Sequence, residues 1–249
     1  MKQPIMLVTG ASRGIGAEIA KMAGRSGYKV GVNFHRSEKD AREVVAEIKD
    51  NGSSAVALQA DVGDSAQVAK MFERMDAEFG TLDALVNNAG MLSKFNVSAT
   101  EIAPLSEVFS ATVFSAFYCS REAVRRMSTA HGGRGGVIVN MSSVAARTGG
   151  LGGGAAYAAT KGAMDSFTLA LAKEVATEGI RVNAIRPGLI ATEIHNAHGG
   201  LEQMERLAKA AVPLARSGSV TEVAEVALWL ASGASSYVHG AIIDVSGGR

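Results

Sequence analysis

The sequence predicts an open, doubly wound α/β domain. Seven short apolar runs alternate with longer segments of helical period, and no linker, repeat or low-complexity run interrupts them. The runs are nearly continuous in apolar residues rather than alternating, as in strands covered on both faces. Strict strand and helix alternation then demands right-handed crossovers and a seven-stranded parallel sheet, in one Rossmann-like domain over 1–249.

The first run, IMLVTG at 5–10, flows into TGASRGIG at 9–16 and a helix at 14–26. Gly10, Gly14 and Gly16 are spaced G-x-x-x-G-x-G, with no Gly-Lys-Ser/Thr of a Walker loop. Such glycines let the backbone amides around Ser12, Arg13 and Ile15 approach a pyrophosphate at the positive end of the helix; a plain tight turn reads the same way locally. The second run, KVGVNF at 29–34, is followed by HRS, so Asn33, His35 and Arg36 stand where an NAD site carries an acid. Arg36 there, with Arg13 in the loop, suits the 2′-phosphate of NADP, and NAD is the less favoured cofactor. Solvated surface charge is the alternative reading of both arginines.

A helix at 38–51 leads to AVALQADV at 55–62, a helix at 65–79 to ALVNNAG at 84–90, and a helix at 106–130 to GVIVNMSS at 136–143. The glycine-rich RTGGLGGGAA at 147–156 precedes a helix at 155–178 in which Tyr157 and Lys161, four residues apart, share a face. IRVNAIRPG at 180–188 is the sixth run; 189–215 lacks a strand and carries HNAHGG and the amphipathic LEQMERLAKAA, a candidate substrate loop. The helix at 220–232, with Trp229, reads as core or subunit interface and leads to GAIIDVSGG at 240–248.

With 47% hydrophobic and 20% charged residues the chain can build a large core, and a net charge of +1 gives no electrostatic case for nucleic acid or membrane surfaces. No apolar stretch runs about 18 residues without polar or glycine interruption, so no membrane span is expected. A single cysteine, Cys119, and no signal-peptide pattern lead to the expectation of a reducing, cytoplasmic setting. His195 and His198 lack neighbouring carboxylates or cysteines in a ligand-like spacing, so no metal is expected.

A tyrosine and a lysine at i, i+4 usually form a packed ring under a solvated ammonium, and Ser142 and Ser143 can simply end a strand. Taken together, TGASRGIG, Asp61 in ADV, NNAG at 87–90, Ser143, Tyr157-x-x-x-Lys161, and RPG followed by Thr192 resemble the short-chain dehydrogenase/reductase family over the whole length. Within it the chain is similar to the one-domain branch with ketoacyl-carrier-protein reductases and bacterial sugar dehydrogenases. The resemblance implies hydride transfer between NADP(H) and a carbonyl or secondary alcohol. It puts Asp61 and Val62 near the adenine, Asn88, Ala89 and Gly90 along the cofactor, and Pro187, Gly188, Ile190 and Thr192 over the nicotinamide. It makes Tyr157 the proton donor and acceptor, Lys161 its ammonium neighbour and a ribose ligand, and Ser143 the holder of the substrate oxygen. A phenol working near neutral pH must lose roughly 3 units from its usual value near 10, which a neighbouring ammonium can largely supply. The family also implies a homotetramer. One position departs: an asparagine that helps hold a relay water is replaced, in FSATVFSAF, by Thr112, which has less reach and fewer donors. A nucleotide-binding scaffold with little activity is the alternative that this departure motivates.

Overall fold

The computed structural model describes residues 3–93, 95–150, 152–192 and 200–249. Seven parallel strands form one sheet: β1 (Ile5–Val8), β2 (Lys29–Phe34), β3 (Ala55–Gln59), β4 (Ala84–Asn87), β5 (Gly136–Met141), β6 (Ile180–Pro187) and β7 (Ile242–Val245). Their order is β3-β2-β1-β4-β5-β6-β7, with Met6 of β1 opposite Val30 on one side and Ala84 on the other. The chain therefore reverses its winding between β1 and β4, where the strand C-termini leave a crevice.

Side-chain alternation along β1 divides the core into two layers. Met6 and Val8 join Ile19 of α1 (Gly14–Arg25), Val44 of α2 (Glu38–Asp50) and Leu230 of α9 (Val220–Ala231). Ile5 and Leu7 join Phe72 of α3 (Ser65–Phe79), Cys119 of α5 (Ser115–Met127) and Leu171 of α7 (Ala155–Val175). All four β1 residues are fully buried. At about 1.5 to 3 kcal/mol for each large apolar side chain, a charge at Leu7 would unseat the whole second layer. Helix starts follow local chemistry: Asp64 accepts from the Ala66 and Gln67 amides at the head of α3, and Ser219 and Glu222 form a reciprocal capping box on α9.

Several elements differ from the sequence expectation at their ends. Strands expected to 62, 90 and 248 stop at Gln59, Asn87 and Val245, because the chain turns out of the sheet to form loops over its edge. The helix expected at 106–130 begins earlier as α4 (Ile102–Phe109), passes through a π-helical turn at Ser110–Phe114 and continues as α5. That run, Ile102–Met127, is long and apolar enough to cross a membrane by length and composition, though polar residues such as Glu107, Ser110 and Ser115 interrupt it. Its inner face, with Cys119, Ala123 and Met127, packs into the second core layer. A short helix, α6 (Ala145–Thr148), was not foreseen, and the amphipathic segment of the 189–215 region forms α8 (Gly200–Ala211). His195 and His198 lie outside the described residues.

Candidate active site

A cavity of about 660 Å³ opens over the C-terminal ends of β1, β2, β4, β5 and β6. At its β1 end, Gly10 and Gly14 have φ of +60° and +57°, a left-handed backbone that side chains with a Cβ adopt at a penalty. A Cβ on Gly16 would run into the Asn88 amide and the Gly10 carbonyl. Arg13 occupies the N-cap of α1 without a side-chain hydrogen bond, and no acid stands in the first turn. The helix thus presents free amides and an unneutralised positive end to the cavity.

Asn33 lies on the cavity wall, yet its side chain is committed to the scaffold. Its Oδ1 accepts from the Gly10 amide at 3.0 Å, while Nδ2 donates to the carbonyls of Leu58 at 3.1 Å and Ala60 at 3.2 Å. Asn88 is used similarly, donating to the carbonyls of Thr9 and Gly10, and Thr9 Oγ1 accepts from the Asn88 and Ala89 amides. Thr9 is a residue that sequence reasoning missed; its buried hydroxyl clamps β1 to β4 at the switch point. Past β2, His35 and Arg36 are exposed on the cavity, as is Arg13. No carboxylate pairs with either arginine among the described residues; Asp61 instead accepts from the Gly63 amide at 2.9 Å and approaches His35 at 3.9 Å. Free amides, a tight glycine turn and two unpaired guanidiniums fit a phosphorylated dinucleotide.

At the other end, Ser143, Tyr157 and Lys161 share the wall of the same cavity. Ser143 follows β5, and its Oγ accepts from the Ala145 amide at 3.1 Å, which leaves its proton free to donate. The first turn of α7 carries Tyr157, and the second carries Lys161, whose Nζ lies 5.6 Å from the Tyr157 ring centre. Lys161 Nζ also donates to the Met141 carbonyl at 2.7 Å, while Ser142 Oγ donates to the Lys161 carbonyl at 3.1 Å. These two anchors, one on β5 and one just after it, were not legible beforehand.

Electrostatics at this end depart from the expectation. Burial pushes the Tyr157 phenol up, and the hydrogen bond with Ser143 is what opposes the rise. Burial also pulls the Lys161 ammonium down to about 8, against the pull of Asp165. Lys161 does not by itself bring the phenol toward neutrality in this geometry; desolvation wins for both groups.

Thr112 is not on the cavity wall. It sits in the π-helical turn, 1% exposed, and its Oγ1 has no hydrogen-bond partner among the described residues. A methyl group built on Gly90 would meet both Thr112 Oγ1 and Lys161 Nζ at 3.5 Å, so the two face the same small space. Ser115 does not help by way of its hydroxyl, which donates to the Ala111 and Thr112 carbonyls. Pro187, Gly188, Ile190 and Thr192 line the cavity beyond β6, as do Val62, Ala89 and Gly90; Met91, Leu92, Met204 and Leu207 add apolar wall that sequence reasoning did not assign. No group of three or more metal-ligating side chains occurs among the described residues.

The family described as enoyl-(acyl carrier protein) reductase matches residues 10–249. The chain belongs to the short-chain dehydrogenase/reductase family. It is 45% identical to an uncharacterized oxidoreductase, YgfF, of Escherichia coli (strain K12), over 98% of this chain and 99% of that one. It is 37% identical to the 3-oxoacyl-[acyl-carrier-protein] reductase FabG of Staphylococcus aureus, over 97% and 96%. Among solved structures, a short-chain dehydrogenase from Burkholderia cenocepacia J2315 in complex with NADP superposes with a TM-score of 0.90 at 30% identity, covering 99% of this chain and 97% of that one. As a member of this family the protein is an oxidoreductase acting on CH–OH and C=O groups.

Proposed function

We propose that the protein interconverts a carbonyl and a secondary alcohol with NADP(H), and that Ser143, Tyr157 and Lys161 carry the chemistry. The observation that supports this most is one cavity with two unlike ends: Arg13 and Arg36, without acidic partners among the described residues, beyond β1 and β2, and the Ser143, Tyr157 and Lys161 cluster beside β5. In the reductive direction Ser143 Oγ donates a hydrogen bond to the substrate carbonyl, and Tyr157 transfers its phenolic proton to that oxygen. Lys161 stabilises the tyrosinate that results, and Thr112 Oγ1 helps to hand a proton back through the space beside Gly90. A bound nicotinamide cofactor would supply the hydride, and the positive charge of its oxidised form would oppose the rise that burial imposes on the Tyr157 phenol. Asp61 and Val62 hold the adenine side, the segment Pro187 to Thr192 passes over the nicotinamide, and α8 of the 189–215 region borders the substrate through Met204 and Leu207.

Arg13 and Arg36 select the 2′-phosphate in this reading. The NADP complex of the Burkholderia relative supports it, as does the lack of an acid after β2. The test is titration of the protein with NADPH and NADH, followed by a panel of carbonyl compounds read at the nicotinamide absorbance. Tighter NADPH binding with turnover of at least one carbonyl is expected; equal affinity for both cofactors contradicts the selectivity, and binding without turnover contradicts the activity. We also propose a homotetramer, because Phe117, 50% exposed, stacks on Phe167 at 4.1 Å and Trp229 is 41% exposed, so two separate helix faces leave aromatic surface uncovered. Light scattering that gives the mass of a monomer would overturn it.

A further inference from the structure

One helical turn beyond the Tyr157 and Lys161 pair stands an ionisable side chain with no part in the reaction as drawn. Asp165 follows Lys161 by four residues, as Lys161 follows Tyr157, so the three share one stripe of α7. Asp165 is 7% exposed and Lys161 is 4% exposed. Arg186, on β6, donates to Asp165 Oδ2 from both Nε at 3.0 Å and Nη2 at 2.7 Å. Both bonds fall on one oxygen, and Asp165 Oδ1 is left buried without a partner among the described residues. Arg186 also approaches Asp244 of β7 at 3.5 Å, and Asp244 pairs with Arg147 of α6 at 3.0 Å.

A buried ion pair is a weak device for stability, since taking both charges out of water cancels much of their attraction. A guanidinium fork can grip both oxygens of a carboxylate, and here it grips one. The other oxygen stays buried one turn along α7 from Lys161, whose own ammonium has one hydrogen-bond anchor among the described residues, the Met141 carbonyl. We propose that Asp165, fixed by Arg186, is a positioning residue that keeps Lys161 charged and aimed at Tyr157. This rests on the reading of Lys161 as part of the proton-moving group.

The other charged groups around Lys161 set the sign of the effect. From β6 comes Arg186, behind it Asp244 of β7 and Arg147 of α6; the only acid of α4 is Glu107, which is exposed, and the π-helical turn and β5 carry no charged residue. On α7 itself Tyr157 is neutral. Asp165 therefore supports the Lys161 ammonium, and Arg186 holds Asp165 in place. Burial alone drives Lys161 down, and Asp165 is the group that resists the fall.

The test follows Lys161 Nζ through pH by NMR of cofactor-free protein carrying 15N-lysine, the signal being assigned by its loss in Lys161→Met. Wild-type protein should titrate at about 8. Asp165→Asn removes the anion and leaves the cation, so the midpoint should fall by about one unit or more. Arg186→Gln frees Asp165 from the fork that fixes it, so the midpoint should fall as well, by a smaller amount. A packing role predicts no shift, and a midpoint that stays at the wild-type value or rises in either variant overturns the proposal. Each variant decides by itself, so failure of one to fold does not protect the idea. Because cofactor and substrate are absent from the measurement, a negative result leaves the reductase reading standing, and an inactive Tyr157→Phe enzyme says nothing about Asp165.

Discussion

At the β2 end of the cavity, Arg13 and Arg36 are exposed and have no acidic partner among the described residues; at the β5 end, Lys161 and Asp165 are buried and each is tied to a neighbouring strand. The difference follows from where the counter-charge comes from. A recognition site leaves its cations in water, because the ligand brings the anion and a pre-formed ion pair would compete with it. A proton-moving site must hold its charges before anything binds, since the free energy of each protonation state depends on burial and on the nearest charge. On the proposed reading, one end serves affinity and the other a fixed electrostatic setting.

That contrast breaks first at Lys161. If the ammonium is needed to stabilise the tyrosinate, Lys161→Met should lower turnover by about 10²- to 10⁴-fold, the span of proton-transfer catalysis, while the fold survives. Stopped-flow measurement of hydride transfer at saturating NADPH checks it, and a rate within a few-fold of wild type would remove Lys161 from the chemistry. Thr112 comes next. Thr112→Val keeps the shape and deletes the orphaned hydroxyl, and leaving a relay partner unpaired at about 1 to 3 kcal/mol predicts a loss of about 5- to 150-fold. An unchanged rate with chemistry limiting would make Thr112 a packing residue. Thr112→Asn, in contrast to Thr112→Val, should match or exceed the wild-type rate if the π-helical turn accommodates an amide.

The other end should respond in affinity rather than rate. Arg36→Ala removes one charge-assisted contact, so the NADPH dissociation constant should rise by about tenfold with NADH nearly unaffected. Isothermal titration with both cofactors reads the ratio, and a constant ratio, repeated with Arg13→Ala added, would show that selection lies elsewhere. Smallest is a position outside both ends. Ala215 has φ of +54°, where a Cβ is strained, so Ala215→Gly should stabilise the fold by up to about 1 kcal/mol, or about 2 to 4 °C in Tm, without moving turnover or affinity. A changed NADPH affinity in that variant would mean that the two ends are not separable from the scaffold.

The sheet was readable because its central strands are covered on both faces. Residues 5 to 8 are apolar without interruption, and the structure buries all four. Strand ends were overrun because apolar character continues after the chain leaves the sheet: Val62 is buried, but against α3 rather than in a ladder. The π-helical turn escaped notice because an extra residue in a helix hardly disturbs its apolar period. Asn33 shows the limit at the site. Composition places an amide at the end of β2, but only geometry shows that the amide ties the glycine turn to β3. Asp165 and Arg186 are 21 residues apart in sequence, and nothing in that spacing announces an ion pair that the fold makes across α7 and β6. Patterns of burial are local and legible; the direction of a polar side chain depends on elements far along the chain.

Tyr157→Phe tests the account most directly, because it deletes one hydroxyl and keeps the ring that packs on the cavity wall. Single-turnover reduction of a carbonyl substrate at saturating NADPH, with the dissociation constant measured on the same sample, separates chemistry from binding. The expected result is a rate lower by at least about 100-fold with NADPH affinity unchanged within about twofold. A rate close to wild type, or a loss of rate matched by an equal loss of affinity, would contradict the assignment of the proton to Tyr157.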